Sequence, residues 1–465
     1  MRYIGPFLRS NTLDADNIKN QLFHLAKESL KDLVLKSKCG IPIKFSELKT
    51  KNIPNNDISI FKAFSPLLCL YKKGDNKFEL IDGELIWNEK KFKKTIVISG
   101  NAFMTLSILE LADYYKKFKN IHPNKYYLSS IYTAAAKKQL EFYAANLRNF
   151  EGVFVDKKDI SDSVTQEIKL EEKNNKFKFS DQALLMAAYY KYANNNEDKE
   201  NESYKMFALD IFNMFLQFRD EIYALPMSDL LTLCLALNIF YEYSGTIEAK
   251  ALLLDIFEFT IDKYFLNQVT CRDDLFTQCM LCLNSIMLYK STNLSKFKDY
   301  LSSHIEKLIE LYDHNYGIFS KNPTEKLEEF SCEEIMLYVI NLLMYYELES
   351  STNDIGSILA DVFKHQVINS GIIGSWPDPP NLDDPERYNN CSFKSEDLIG
   401  DQHFKLSTIP SPETSELAPL FIKSVVYNRK KESFIQSKSS FDGAKNTFLF
   451  FLLIHLLDNK NIMGE

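Results

Sequence analysis

The densest set of groups able to do acid–base chemistry lies between residues 376 and 403. Trp376 opens the stretch, Asp378, Asp383, Asp384, Glu386, Arg387 and Tyr388 follow, and Asp401-Gln402-His403 closes it. Acid-catalysed cleavage of a glycosidic bond needs two carboxyl groups, one protonated as acid and one ionised as base or nucleophile. Asp378, Asp383, Glu386 and His403 are therefore the candidate catalytic residues. Trp376 would be a stacking platform, and Arg387 and Tyr388 substrate contacts. A partner carboxylate could come from Asp181, Glu333 or Glu334, although an acid in a first helical turn also serves the helix dipole. The acids of residues 378–388 equally suit a solvated loop paired to Arg387, and His403 equally suits a half-buried surface position.

The elements that must position these groups repeat. Gly374-Ser375-Trp376 has two upstream echoes, Gly152-Val153-Phe154 and Gly317-Ile318-Phe319, each after one helix and before another. Glycine permits a positive φ as a helix ends, and the aromatic ring then folds back onto the hairpin as a staple. The functional alternative makes Phe154, Phe319 and Trp376 platforms for a sugar ring or an isoprenoid chain. Apolar residues at helical spacing predict paired helices at 101–118 with 124–148, 180–194 with 203–222, 227–244 with 247–266, 274–290 with 295–313, and 331–348 with 353–369. A sixth pair falls at 412–429 with 441–457, where Pro419 would shorten or kink the first member. Ser331-Cys332-Glu333-Glu334 is a capping box that fixes one helix start. Ahead of the pairs come a helix over 17–37 and a small β segment over 60–98, where Asp82-Gly83 separates two short apolar stretches as in a two-residue hairpin.

A helical hairpin cannot bury its apolar stripe alone, so hairpins stack, and six can close into a barrel with their long connectors crowding one rim. The expected fold class is all-α: an (α/α)6-type barrel over 100–465 behind a 1–99 segment of one helix and a small β-hairpin. Residues 179–220, FSDQALLMAAYYKYANNNEDKENESYKMFALDIFNMFLQFRD, resemble a repeat of the α/α-toroid, six-hairpin glycosidase-like superfamily. There an Asp-Gln or Asp-Asn often starts an inner helix, and a Gly-x-aromatic turn follows an outer one. The resemblance covers roughly 100–457 and implies the barrel and a carbohydrate-active enzyme, glycosidase- or epimerase-like; Phe154, Phe319, Asp181 and Glu334 are the candidate substrate contacts outside the 376–403 stretch. Gln366 with Gly374-Ser375-Trp376 also resembles repeats of squalene- and diterpene-type cyclases, which would make Asp383 a proton donor. Here Asn381 stands where those enzymes have their first Asp, and Pro385 follows the motif. A non-catalytic toroid that binds a protein or peptide is the third reading.

The totals bound these alternatives. The chain has 465 residues, 45% of them hydrophobic and 25% charged, enough to bury a large core. Its formal charge of −8, with lysines and acids interspersed, argues against nucleic acid. No basic-then-apolar leader opens the sequence, and the longest apolar run, Phe448–Leu457, is too short to span a membrane. A soluble, cytoplasmic protein is expected, its partner a carbohydrate ligand or another protein rather than nucleic acid or membrane. Cys279 and Cys282 form a CxxC inside an apolar helix without a second ligand pair, and the seven histidines make no His-x-His or HxxxH pair. No metal or other cofactor is expected.

Overall fold

In the structure, a computed structural model, the described residues are 13–48, 50, 61, 63–81, 84–162, 167–174, 176–195, 201–266, 274–349, 353–381, 384–388, 416–436 and 440–458. Helix α1 (Ala15–Leu35) begins at Asp14, whose carboxylate accepts from the Asn17 amide at 2.7 Å. There follow α2 (Ile98–Lys116), α3 (Pro123–Asn146), α4 (Phe179–Asn194), α5 (Asn201–Gln217) and the short α6 (Arg219–Tyr223). The rest are α7 (Met227–Ser244), α8 (Ile247–Leu266), α9 (Leu275–Thr292), α10 (Ser295–Ile309), α11 (Cys332–Glu349), α12 (Asn353–Val362, continued by a π turn to Ile368) and α13 (Gly443–Leu457).

These helices form two concentric rings. The inner ring runs α2, α4, α7, α9, α11, α13 and back to α2, each packed on the next. The outer ring places α3 against α2, α5 against α4, α8 against α7, α10 against α9, α12 against α11, and α1 against α13. Composition sorts the two. Inner helices are apolar around their whole circumference: every residue of Gly100–Leu109 and of Thr277–Leu288 is buried. Side chains therefore fill the barrel axis along these stretches. Outer helices carry one buried stripe, as in α10, where Phe297, Leu301, Ile305 and Leu308 face inward.

The expected sixth pair is corrected. Its first member is not a helix: Ser424–Asn428 is a β-strand that pairs antiparallel with Leu327–Ser331. Pro419 breaks a helical run there, and the Ser-Val-Val-Tyr sequence favours a strand. The sixth outer helix is α1, so the chain closes its ring by packing its first helix on its last. From residue 17 to residue 35 no residue of α1 is exposed.

Connectors from inner to outer helices are short. Gly245 (φ 61) and Asn293 (φ 60) end α7 and α9 in the left-handed conformation, and the next outer helix begins two residues later. Connectors from outer to inner helices are long and gather at the opposite end, the rim. They build a sheet of β1 (Gly40–Pro42), β2 (Leu67–Asp75), β5 (Lys93–Ile96), β6 (Lys157–Asp159) and β7 (Leu170–Glu172), with β13 (Ser440–Asp442) pairing Lys73–Asp75 at the end of β2. The hairpin expected around Asp82-Gly83 is present as β3 (Phe78–Ile81) and β4 (Glu84–Trp87), with Ile81 opposite Glu84. A second rim sheet joins β10 (Leu327–Ser331), β11 (Ser424–Asn428) and β12 (Ser433–Gln436), and β8 (Tyr312–Asp313) pairs with β9 (Ile318–Phe319).

One device ties rim to ring repeatedly. The fourth residue of α2, α4 and α13 is an amide that brackets the backbone of an extended rim residue. Asn101 does this to Leu70, Gln182 to Phe154 and Asn446 to Phe421, each accepting from the N–H and donating to the C=O. Gln366 treats Phe319 the same way from the outer ring. The cysteines within the described residues (39, 69, 234, 279, 282 and 332) are all buried, Cys279 and Cys282 in the core of α9.

Candidate functional site

The inner helices all start at the rim, so their unpaired N–H groups and positive dipole ends converge there. The third residues of the inner helices, at this end, are Gly100, Asp181, Asp229, Thr277, Glu334 and Lys445. Asp181 stands apart. It is only 7% exposed, and its carboxylate makes no ion pair or hydrogen bond among the described residues. Burial, and then the negative charge of Asp156, push its pKa up to about 7, with Lys178 opposing and Asp229 adding. The neighbours are held in place. Asp156 accepts from the Ile98 amide at 3.1 Å, capping α2, while Lys178 Nζ lies 3.7 Å from Asp229. On the adjoining sheet the Tyr71 hydroxyl donates to Asp159, which also accepts from the Ser161 amide at 2.8 Å. A carboxyl poised near neutrality can give or take a proton at pH 7.

The other sequence-expected residues are placed elsewhere. Phe319 is fully buried, stacked on Tyr338 with ring centres 4.3 Å apart, and Phe154 is enclosed by Tyr189 and Phe207. Both are staples, with no ring face left for a sugar, and Gly152 (φ 88) and Gly317 (φ 65) make the turns as expected. Trp376 is also buried, against Phe363. In its turn the positive φ belongs to Gly371 (φ 73). Gly374 is glycine because a Cβ would stand 2.6 Å from the Ala418 carbonyl oxygen. Glu334 completes the capping box with Ser331, at 2.8 and 3.2 Å, and pairs with Lys321 at 2.7 Å. Glu333 pairs with Lys445.

The described part of the 376–403 stretch runs away from the mouth. Asp378 is exposed, and its carbonyl accepts from His24 Nε2 at 2.7 Å. Arg387 is buried and donates from Nε to the Pro380 carbonyl at 2.8 Å. Glu386 is buried between Lys27, at 2.5 Å, and Lys125, and accepts from the Tyr114 hydroxyl at 3.0 Å. Tyr114 is the seventeenth residue of α2, about 24 Å along the axis from the rim end. Burial works against ionisation of Glu386, but Lys27 and Lys125 outweigh it and hold its pKa at about 2. Glu386 is an anchor for this segment and not a proton donor at neutral pH. Tyr388 ends the 3-10 turn Pro385–Tyr388, while Asp383 and His403 lie outside the described residues. Tyr71, Asp156, Asp159, Lys178 and Asp229 are the mouth residues that sequence reasoning missed. The one signal available was the aspartate at the third position of two successive inner helices.

No family model matches the chain, and no curated protein does either. Solved structures do. A D-mannose isomerase aligns over 97% of this chain and 99% of its own, at 8% identity and a TM-score of 0.53. The fold is the six-hairpin α/α toroid. A family 76 glycoside hydrolase, an α-mannanase from Bacteroides thetaiotaomicron, aligns over 97% and 100% at 9% identity with a TM-score of 0.48. A cellobiose 2-epimerase from Spirochaeta thermophila aligns over 94% and 97% at 8% identity with a TM-score of 0.48. Among the described residues no group of three His, Cys, Asp or Glu side chains is placed to hold a metal ion, and no helix is long and apolar enough to cross a membrane.

Proposed function

We propose that this chain is a carbohydrate-active enzyme, glycosidase- or epimerase-like, whose reaction takes place at the mouth of the toroid with Asp181 as the proton-transferring group. The observation that carries this reading is the state of Asp181. It is a nearly buried carboxyl at the start of an inner helix, unpaired among the described residues and poised near neutrality by burial and two neighbouring carboxylates. A purely structural aspartate in a first helical turn would gain from the dipole and from a cap, and Asp181 is held against that gain. Asp229, 3.7 Å from Lys178 Nζ, supplies the second carboxylate. The fold is shared with a D-mannose isomerase, in keeping with a sugar as substrate. The test is turnover of neutral mono- and oligosaccharides by the wild-type chain and by Asp181→Asn, with folding checked by circular dichroism. Loss of turnover in a folded variant supports the assignment, and unchanged turnover removes it.

A second reading has its own observation. Apolar side chains stand exposed near the rim ends of the outer helices and in the rim connectors: Phe150 at 88%, Leu266 at 82%, and Phe177, Phe218 and Phe265 at 38–48%. Together with an axis filled by side chains, that surface suits a toroid that binds a protein. Chains unable to turn over any sugar, yet captured in a stable complex with a protein partner, would favour it.

A further inference from the structure

A second site is built at the outer edge of the rim, where the C-terminal end of α1 meets the β3–β4 hairpin. An open cavity of about 250 Å³ lies there, lined by Asp32, Lys36, Ser37 and Lys38 from the helix end and by Phe78, Ile86, Trp87 and Glu89 from the hairpin and the turn after it. Its charges cancel: Asp32 pairs with Lys36 at 2.6 Å, and Lys38 with Glu89 at 3.9 Å. Its apolar side is fixed. Trp87 is wedged edge-to-face between Phe78 and Phe441, with ring centres 5.1 and 5.9 Å away. The Trp87 ring so held forms part of the cavity lining.

The backbone adds an independent sign. Lys38 adopts φ 53, a left-handed conformation that costs a residue with a Cβ energy and that glycine takes freely. The chain keeps lysine there, and its ammonium reaches Glu89 across the cavity. Strain of this kind persists where a side chain has a task, and it concentrates at ligand sites.

We propose that this cavity binds one ring of a neutral saccharide. Charge-balanced carboxylate–ammonium pairs offer donors and acceptors to neighbouring hydroxyls without selecting for a charged ligand. The Phe78–Ile86–Trp87 wall takes the apolar face of the ring. The site would hold a sugar chain beside the mouth rather than react with it. It shares with the proposed function only the class of ligand, and none of its residues belongs to the Asp181 cluster.

The chain has two tryptophans and only Trp87 lines the cavity, so Trp376→Phe leaves a chain whose indole emission reports Trp87 alone. The experiment is a fluorescence titration of the full chain with glucose, cellobiose and mannobiose, and with glycine and lysine as zwitterionic controls. A saturable change with a sugar is expected, retained in Trp376→Phe and in Asp181→Asn and lost in Trp87→Phe. Lys38→Gly relieves the left-handed strain while removing the ammonium, so it stays folded, and Glu89→Gln is a surface change. Each should weaken binding about tenfold or more, the loss of one charge-assisted hydrogen bond. No saturable change with any sugar overturns the proposal. So does undiminished affinity in both Lys38→Gly and Glu89→Gln, or a response to the amino acids alone. Binding that survives in Asp181→Asn while turnover is absent from every chain separates failure of the enzymatic reading from failure of this one.

Discussion

The end of the barrel opposite the rim is closed by a buried ion network whose pH dependence can be worked from the structure. His455, near the end of α13, has Nδ1 3.3 Å from Glu110 of α2 and Nε2 3.1 Å from Glu242 of α7. Glu110 also takes the Tyr243 hydroxyl at 2.5 Å and Lys191 of α4 at 3.4 Å, and Lys191 reaches Asp113 at 2.8 Å. Four of the six inner helices are joined here. Burial lowers the His455 pKa, but Glu242 and Glu110 outweigh it and raise the value from 6.5 to about 9. A histidine whose folded pKa is raised contributes stability that is complete below its unfolded value, here 6.5, and is lost as pH rises through about 9. At about 1.36 kcal/mol for each tenfold change in proton affinity, the contribution is about 3 kcal/mol. That is a large share of a typical stability of about 5–15 kcal/mol. The assay is urea unfolding of wild type and His455→Gln at about pH 6 and about pH 10, with lysine and tyrosine titration common to both chains. Wild type should lose about 3 kcal/mol more than the variant between the two conditions. Parallel losses would refute the reasoning.

Other consequences are separable from this one. Asp181 is raised from 3.8 to about 7, so its ionisation costs nothing at low pH and up to about 4 kcal/mol above pH 7. Asp181→Asn should therefore melt higher than wild type, with a gain that is large at about pH 8.5 and small at about pH 5. Gln182→Ala strips both backbone bonds from Phe154 and should lower stability by about 2–4 kcal/mol in chemical denaturation. Glu386→Gln leaves Lys27 and Lys125 without their shared counter-charge and should cost about 3–5 kcal/mol in chemical denaturation.

The architecture was legible because its signals are local. Helical periodicity, the Ser331–Glu334 capping box, the Asp82-Gly83 hairpin and the Gly152 and Gly317 turns each write their conformation into a few adjacent residues. Closure of the ring was not legible. Pairing α1 with α13 joins residues more than four hundred positions apart, and nothing in the 412–429 segment announces a strand except its β-branched run. The surroundings of the candidate site residues were hidden for a related reason. Clustered carboxylates in one loop look like a constellation, but Glu386 is neutralised by lysines from α1 and α3, brought in only by the fold. Asp181, Asp156 and Asp229 come from three separate elements, and a sequence does not display their convergence. The repeated amide at the fourth position of the inner helices, Asn101, Gln182 and Asn446, was visible as residues, and its meaning appears only with the rim strands it grips.

The most direct test of the central claim is a turnover measurement followed by NMR of the anomeric protons, with mannose, cellobiose and mannobiose offered to wild type and to Asp181→Asn. The account predicts that wild type hydrolyses or isomerises at least one of these sugars, with kcat changing around pH 7 as Asp181 titrates. It also predicts that the folded variant is slower by at least about a hundredfold, the loss of one acid–base group. Equal rates in the two chains, or no conversion of any sugar by wild type, would contradict it.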